Sequence, residues 1–172
     1  VLPKEEAGTI QGSAEELSHY IGEAYFFRAL AYYNALVKFG DYPIIEKVLP
    51  DQNEVLIENS KRAPRNEVAR FILKDLDTAI SRLKDQGFKD NQRINKQVAQ
   101  LFKSRVALFE ATFEKYHQGT GRVPGDTDWP GAKMSYNSGK TFNIAGEIDF
   151  FLTEAMNAAA AVADRGTLTE NS

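Results

Sequence analysis

Apolar and small residues recur every three or four positions from Leu17 through Ile21, Ala24, Phe27, Leu30 or Ala31, and Asn34 or Ala35 to Phe39, the spacing of a helix face. Ser13 followed three residues later by Glu16 is a capping-box pair that marks a helix start. Gly40, with no Cβ to clash in a left-handed conformation, marks the stop. The pattern predicts a helix over 14–39, roughly 39 Å long at 1.5 Å per residue. Tyr25, Phe26, Tyr32, Tyr33, Leu36 and Val37 flank the first stripe, so this rod is apolar around much of its circumference. Such a helix is expected to be covered by neighbours on several sides, here by three further rods.

Three more segments carry the helical period. One runs over 64–84, with Pro64 in the first turn, where its missing N–H does no harm, and Val68, Phe71, Ile72, Leu76, Ala79, Ile80 and Leu83 on one face before Gly87. The next spans 96–117, capped by Asn95, with Val98, Leu101, Phe102, Val106, Phe109 and Phe113. The last covers 145–165, with Ile148, Phe151, Leu152, Ala155, Met156, Ala159 and Val162, and Gly166 is its expected stop. No alternating run is strong enough for a sheet. The fold class expected is all-α, one helical domain over 1–172, with the first two helices and the last two forming hairpins that stack like tetratricopeptide units. The 34-residue tetratricopeptide period is absent, because long loops intervene.

Between the helices lie irregular stretches. Residues 1–12 read as a lead-in loop. Pro43 disfavours α geometry at Tyr42, so 41–45 is expected to be extended. The segment 46–63 reads as a polar loop with one short turn at most. Residues 118–143 hold five Gly, two Pro and the only Trp of the chain. Loops this long are uncommon inside a domain and are often functional.

Two residues break the hydrophobic pattern. Arg28 sits in mid-helix with Ala24 and Tyr32 at i−4 and i+4, neither of which is a carboxylate. Asp75 falls between Ile72 and Ala79 on an apolar face. Either the two pair across the helices, or both reach solvent at the rim.

Composition narrows the function classes. At 172 residues the chain can bury on the order of 70% of its unfolded surface in one core. A net charge of −3, with Lys and Arg scattered apart from Lys61, Arg62 and Arg65, gives no footprint for nucleic acid or an anionic membrane surface. The absence of cysteine removes disulfides, thiolate metal sites and cysteine nucleophiles. The apolar runs near 26–33 and 158–163 are far too short to span a bilayer. The first residues do not read as a signal peptide. The start at Val1 and the polar tail over 167–172 suggest a piece of a longer protein.

Little catalytic chemistry is visible. His19 and His117 are the only histidines, and neither has a second His or Cys at i+3 or i+4, so no metal site is expected. The carboxylate pairs lie on helices where solvated faces explain them. Neither a nucleophile elbow nor a phosphate-binding glycine loop occurs. No enzyme activity and no cofactor are expected. Trp129, beside Pro130 and Gly131, stands out with Asp126, Asp128, Tyr136 and Asn137 in the same loop. Its indole either presents a flat face on which a sugar ring stacks, or pins the loop onto the helices. The ligand-binding candidates are therefore Trp129, Tyr136 and Asp128; the structural ones are Arg28, Asp75, Gly40 and Pro43.

The segment GEAYFFRALAYYNALVKFGDYPII, residues 22–45, resembles the signature of the SusD/RagB family: a Glu-Ala-x-Phe-Leu-Arg-Ala core, an aromatic-rich helix, then Phe-Gly-Asp-x-Pro-Leu. Glu23, Ala24, Phe26, Arg28, Ala29, Gly40, Asp41 and Pro43 match, and Phe27 stands where Leu is usual. Downstream, Arg62, Glu67, Val68, Asp75, Leu76 and Ala79 match the family's next helix, and INKQVAQLFKSRVALFEATFEKYH is similar to the one after. The resemblance implies a tetratricopeptide-like scaffold from a lipid-anchored protein on the outer face of the outer membrane of Bacteroidota. It implies a non-catalytic binder of glycans or other nutrients, seated as a lid on a TonB-dependent transporter of the SusC type. The family's glycan contacts vary and lie mostly on loops, so none transfers to a position in this chain. The alternative is a helical scaffold that docks onto a partner protein and has no ligand of its own.

Overall fold

The computed structural model describes residue 8 and residues 11–85 and 92–166. Helix α1 (Ala14–Phe39) begins where the Ser13 hydroxyl accepts the Glu16 N–H at 3.3 Å. It ends at Gly40, whose φ of 68° suits a residue without Cβ and whose N–H reaches the Leu36 carbonyl. A seven-residue helix α2 (Asn53–Asn59) interrupts the first loop. Helices α3 (Arg65–Arg82), α4 (Lys96–His117) and α5 (Ile144–Ala163) follow.

Pro64 is the residue before α3 rather than its first turn, with extended backbone, and α3 stops at Arg82. Asn95 caps α4 by accepting the Val98 N–H. Asn143 does the same for α5 through Gly146 N–H at 3.1 Å, a cap that lies within the stretch expected to be loop. α5 ends at Ala163 with Asp164 as its cap, so Gly166 lies beyond the stop. Gly87, residues 1–7 and the tail over 167–172 lie outside the described residues.

The helices stack in chain order, α1 on α3, α3 on α4 and α4 on α5, and the described residues include no strand. An isolated bridge between Tyr42 and Ala63, two hydrogen bonds of 3.1 Å, closes the first loop at its neck. The core is a continuous seam that includes Phe26, Ala29 and Leu36 of α1, Ile72 and Leu76 of α3, Val106 and Ala111 of α4, and Phe151 of α5. Aromatic contacts tie α1 directly to α4: Phe102 packs on Phe26 and Tyr33 at 5.4 Å, and Phe109 on Tyr33 at 5.6 Å.

The expectation that α1 is jacketed on several sides is corrected. α3 packs along it and α4 reaches it through Phe102 and Phe109, while α5 packs chiefly on α4. The far side stays open, with Phe27 55% and Val37 51% exposed. The apolar girth of this helix exceeds what a stack of two hairpins covers.

Candidate functional site

The open end of α1 is where the irregular segments meet. Asp41, the residue after the Gly40 stop, joins three pieces of chain. Its Oδ1 accepts the backbone N–H of Arg65 at 2.9 Å, so it caps α3 from outside that helix. Its Oδ2 accepts the Trp129 indole N–H, also at 2.9 Å. Burial pushes the Asp41 carboxyl up from the usual range, and these two hydrogen bonds act against that rise.

The loop over 118–143 is ordered by its own side chains. Asp126 accepts the N–H groups of Gly119 at 2.8 Å, Gly121 at 3.0 Å and Val123 at 3.3 Å. Two short 3₁₀ turns follow, Pro130–Lys133 and Ser135–Asn137. The indole of Trp129 folds back over Gly131, where a Cβ would come within 2.1 Å of the ring. Its edge meets Phe142 at 5.2 Å. Asn137 locks the turn by donating to the Gly131 carbonyl at 3.0 Å.

Between this loop, the end of α1 and the start of α3 lies a cleft of about 780 Å³. Trp129 forms part of its wall, Phe39 and Tyr136 present more open rings, and Lys38, Arg62 and Arg122 bring positive charge. Beneath it, Arg65 is buried. It grips Glu110 of α4 with two hydrogen bonds of 2.8 and 2.7 Å, and its guanidinium lies 3.3 Å from the centre of the Phe113 ring.

The residues singled out from sequence divide on this geometry. Trp129 and Tyr136 line the cleft; Asp128 is exposed and is not among the lining residues. Trp129 is only 3% exposed, so the picture of an indole face free for stacking is corrected: the ring is enclosed by its own loop and held by Asp41. Arg28 meets Asp75 through Nε to Oδ2 at 2.6 Å and Nη2 to Oδ1 at 2.7 Å. The Asp75 side chain is 2% exposed and that of Arg28 20%, so the pair lies inward of the rim. Pro43 follows Tyr42, whose bridge to Ala63 holds the extended neck.

Buried charge on α4 is a feature that the sequence pattern did not bring out. Lys103, Glu110 and Glu114 share the inner side of α4 with Ala99, Val106, Ala107 and Ala111. Lys103 reaches Asp77 at 2.6 Å and Glu154 at 2.5 Å, joining α4 to α3 and α5. Glu114 is fully buried, and neither of its side-chain oxygens has a hydrogen-bond partner. Burial, with Glu110 and Glu147 nearby, raises its pKa to about 8. The signal that could have found them is three charged residues at spacings of seven and four in a row otherwise made of small apolar ones.

His19 is also fully buried; its Nδ1 accepts the Lys84 N–H at 3.1 Å, and burial lowers its pKa. Its other nitrogen lies 3.4 Å from Glu23, which in turn pairs with Arg93 ahead of α4. Among the described residues no group of three His, Asp or Glu converges as metal ligands do, and no helix is long and apolar enough to cross a membrane.

The arrangement defines an all-α, tetratricopeptide-like helical stack with a loop-walled cleft at one end. The chain belongs to the SusD-like family, whose model, described as starch-binding and associating with the outer membrane, matches residues 5–108. SusD-like protein P2 of Formosa agariphila is 32% identical over 109 residues, which cover 63% of this chain and 21% of that protein. The crystal structure of a SusD-like protein from Bacteroides fragilis superposes with a TM-score of 0.62 at 23% identity, covering 96% of this chain and 24% of that one. The second likeness concerns the fold alone. The chain thus spans between a fifth and a quarter of the length of these relatives.

Proposed function

We propose that this chain is the helical part of a non-catalytic glycan- or nutrient-binding protein of the outer membrane. In the whole protein it is lipid-anchored at the extracellular face and works with a TonB-dependent transporter of the SusC type. Family membership supports this role, and one observation in the chain carries it: the cleft of about 780 Å³ walled by Phe39, Trp129 and Tyr136. Aromatic walls with a few convergent polar groups are what a saccharide site needs, since sugar rings offer apolar faces edged by hydroxyls.

The test is calorimetric titration of the full-length protein with a panel of oligosaccharides, together with co-purification of the transporter from outer membranes. Retention of an oligosaccharide without release of new reducing ends is the expected result. Hydrolysis of the probe would remove the non-catalytic assignment, and no affinity for any saccharide would remove the glycan-binding role.

A second reading, a scaffold with no ligand of its own, is favoured by the uncovered apolar positions. Phe27 on α1, and Leu101 and Leu108 seven residues apart on α4, are about half exposed. Replacing Phe27 and Leu108 by Glu tests it: loss of partner association in a protein without affinity for any saccharide favours this reading, whereas saccharide affinity in the parent protein rejects it.

A further inference from the structure

The cleft carries a charge imbalance that the packing leaves unused. Lys38, Arg62, Arg65 and Arg122 line it against one carboxylate, Asp41, in a chain whose formal net charge is −3. Arg65 is answered by Glu110 from below. Asp41 has one oxygen on the Arg65 backbone N–H and the other on the Trp129 indole, so both are already engaged.

Lys38, Arg62 and Arg122 are exposed and form no ion pair or hydrogen bond among the described residues. Several outer cations elsewhere are paired, Arg70 with Glu147, Lys140 with Glu67 and Arg93 with Glu23, while Lys47, Arg105 and Lys133 stand singly among the described residues; only in the cleft do three without an ion pair gather around one concavity. Three cations without an ion pair around one concave site, of which Arg62 alone feels Asp41 through space, raise the local concentration of anions there.

Beside these charges stand two open rings, Phe39 at 58% and Tyr136 at 36% exposure. Asn137, 6% exposed, lines the same cleft, and its buried side-chain oxygen receives no donor within the fold. A bare inorganic anion makes no use of the rings, whereas a sugar ring bearing negative charge uses the rings and the cations together.

We propose that this cleft binds an acidic saccharide, with a sugar ring against Phe39 and Tyr136 and its carboxylate or sulfate ester held by Arg62, Arg122 and Lys38. The proposal rests on the glycan-binding function above and narrows it to a substrate class. A neutral glucan leaves the three cations unanswered, whereas a charged one forms charge-assisted hydrogen bonds with them.

The full-length protein is titrated with three probes of similar length: an oligogalacturonate, charged through carboxylates; a carrageenan oligosaccharide, charged through sulfate esters; and an uncharged malto-oligosaccharide. One acidic probe is expected to bind about tenfold or more tightly than the neutral one, and to weaken as salt rises. The probe that binds identifies the charged group. The double variant Arg62→Gln, Arg122→Gln is expected to lose about tenfold for the acidic probe at nearly unchanged melting temperature, because neither side chain forms an ion pair or hydrogen bond in the fold. Phe39→Ala is expected to weaken the same probe.

Equal affinity for acidic and neutral probes, or indifference to the double variant, overturns the acidic class while leaving glycan binding intact. Competition by free sulfate as effective as that of the sulfated oligosaccharide also overturns it, since a bare anion site does not read the sugar. A folded protein that binds none of the three, nor any other saccharide, overturns both proposals.

Discussion

Trp129 donates its indole N–H to Asp41 across 88 residues of chain, and the same carboxylate caps α3. One side chain thereby ties the end of α1, the start of α3 and the cleft-forming loop. Replacing Asp41 by Ala removes a helix cap and leaves a buried indole N–H without an acceptor, for an expected loss of about 2–3 kcal/mol. Urea denaturation measures this loss. Trp129 is the only tryptophan of the chain, so its emission should shift to the red in the same variant. An unshifted spectrum would mean that the indole is held by packing alone.

Gly131 lies beneath the Trp129 ring, with no room for a methyl group. Gly131→Ala should therefore expel the indole or distort the turn, costing about 1–3 kcal/mol. Acrylamide quenching of Trp129 should rise sharply, because a Cβ and the ring cannot share that space. Quenching no greater than in the parent chain would show that the turn yields instead of the ring.

The Arg28–Asp75 pair joins α1 to α3 with two parallel hydrogen bonds. Removing either partner strands the other, and Arg28→Ala is expected to cost about 3 kcal/mol. Arg28→Met combined with Asp75→Leu should recover much of that loss, because no unpaired charge remains. A double-mutant cycle by chemical denaturation gives the coupling, and a coupling near zero would place the pair's worth in packing.

Glu114 makes stability depend on pH in a defined direction. Folded, it holds its proton up to about pH 8; unfolded, it releases it near 4.5. Between those values the folded state binds more protons, so this group's contribution falls as pH rises. Glu114→Gln should stabilise the protein on the order of a few kcal/mol at about pH 9 and change little at about pH 4.

His19 acts at the other end of the scale. Its lowered pKa means that the unfolded state binds more protons as pH falls below 6.5, so folding weakens there. Melting temperatures of the parent and of a His19→Asn variant between about pH 5 and pH 7 test the sign; the parent should lose stability relative to the variant as pH falls, whatever slope both share through Glu114.

Much of the fold was legible because it is local. The Ser13 and Asn95 caps, the Gly40 stop and the three-and-four spacing are each written within a few consecutive residues, and the helices form where they indicate. The family signature was legible for the same reason. Its charged members proved to be ties between segments: Glu23 to Arg93 ahead of α4, Arg28 to Asp75 of α3, and Asp41 to the start of α3.

The candidate site was less legible, because its parts come together only through packing. Arg65 reads as one of three neighbouring cations along the chain, yet it is buried on Glu110, while Arg62 faces the cleft. Trp129 stood out by its rarity and its setting, but whether it offered a ring face or a loop pin depended on Asp41 and Gly131.

By itself the sequence determined where the four long helices lie, how α1 and α4 are capped at their starts and which family they resemble, since backbone hydrogen bonding and side-chain period act over one or two turns. Only the tertiary structure decided which side of α1 stays open, which carboxylates are buried, and that the residues after Gly40 and around Trp129 enclose one cleft. Those outcomes depend on contacts between segments as much as 88 positions apart, and no spacing along the chain encodes the relative placement of two packed helices.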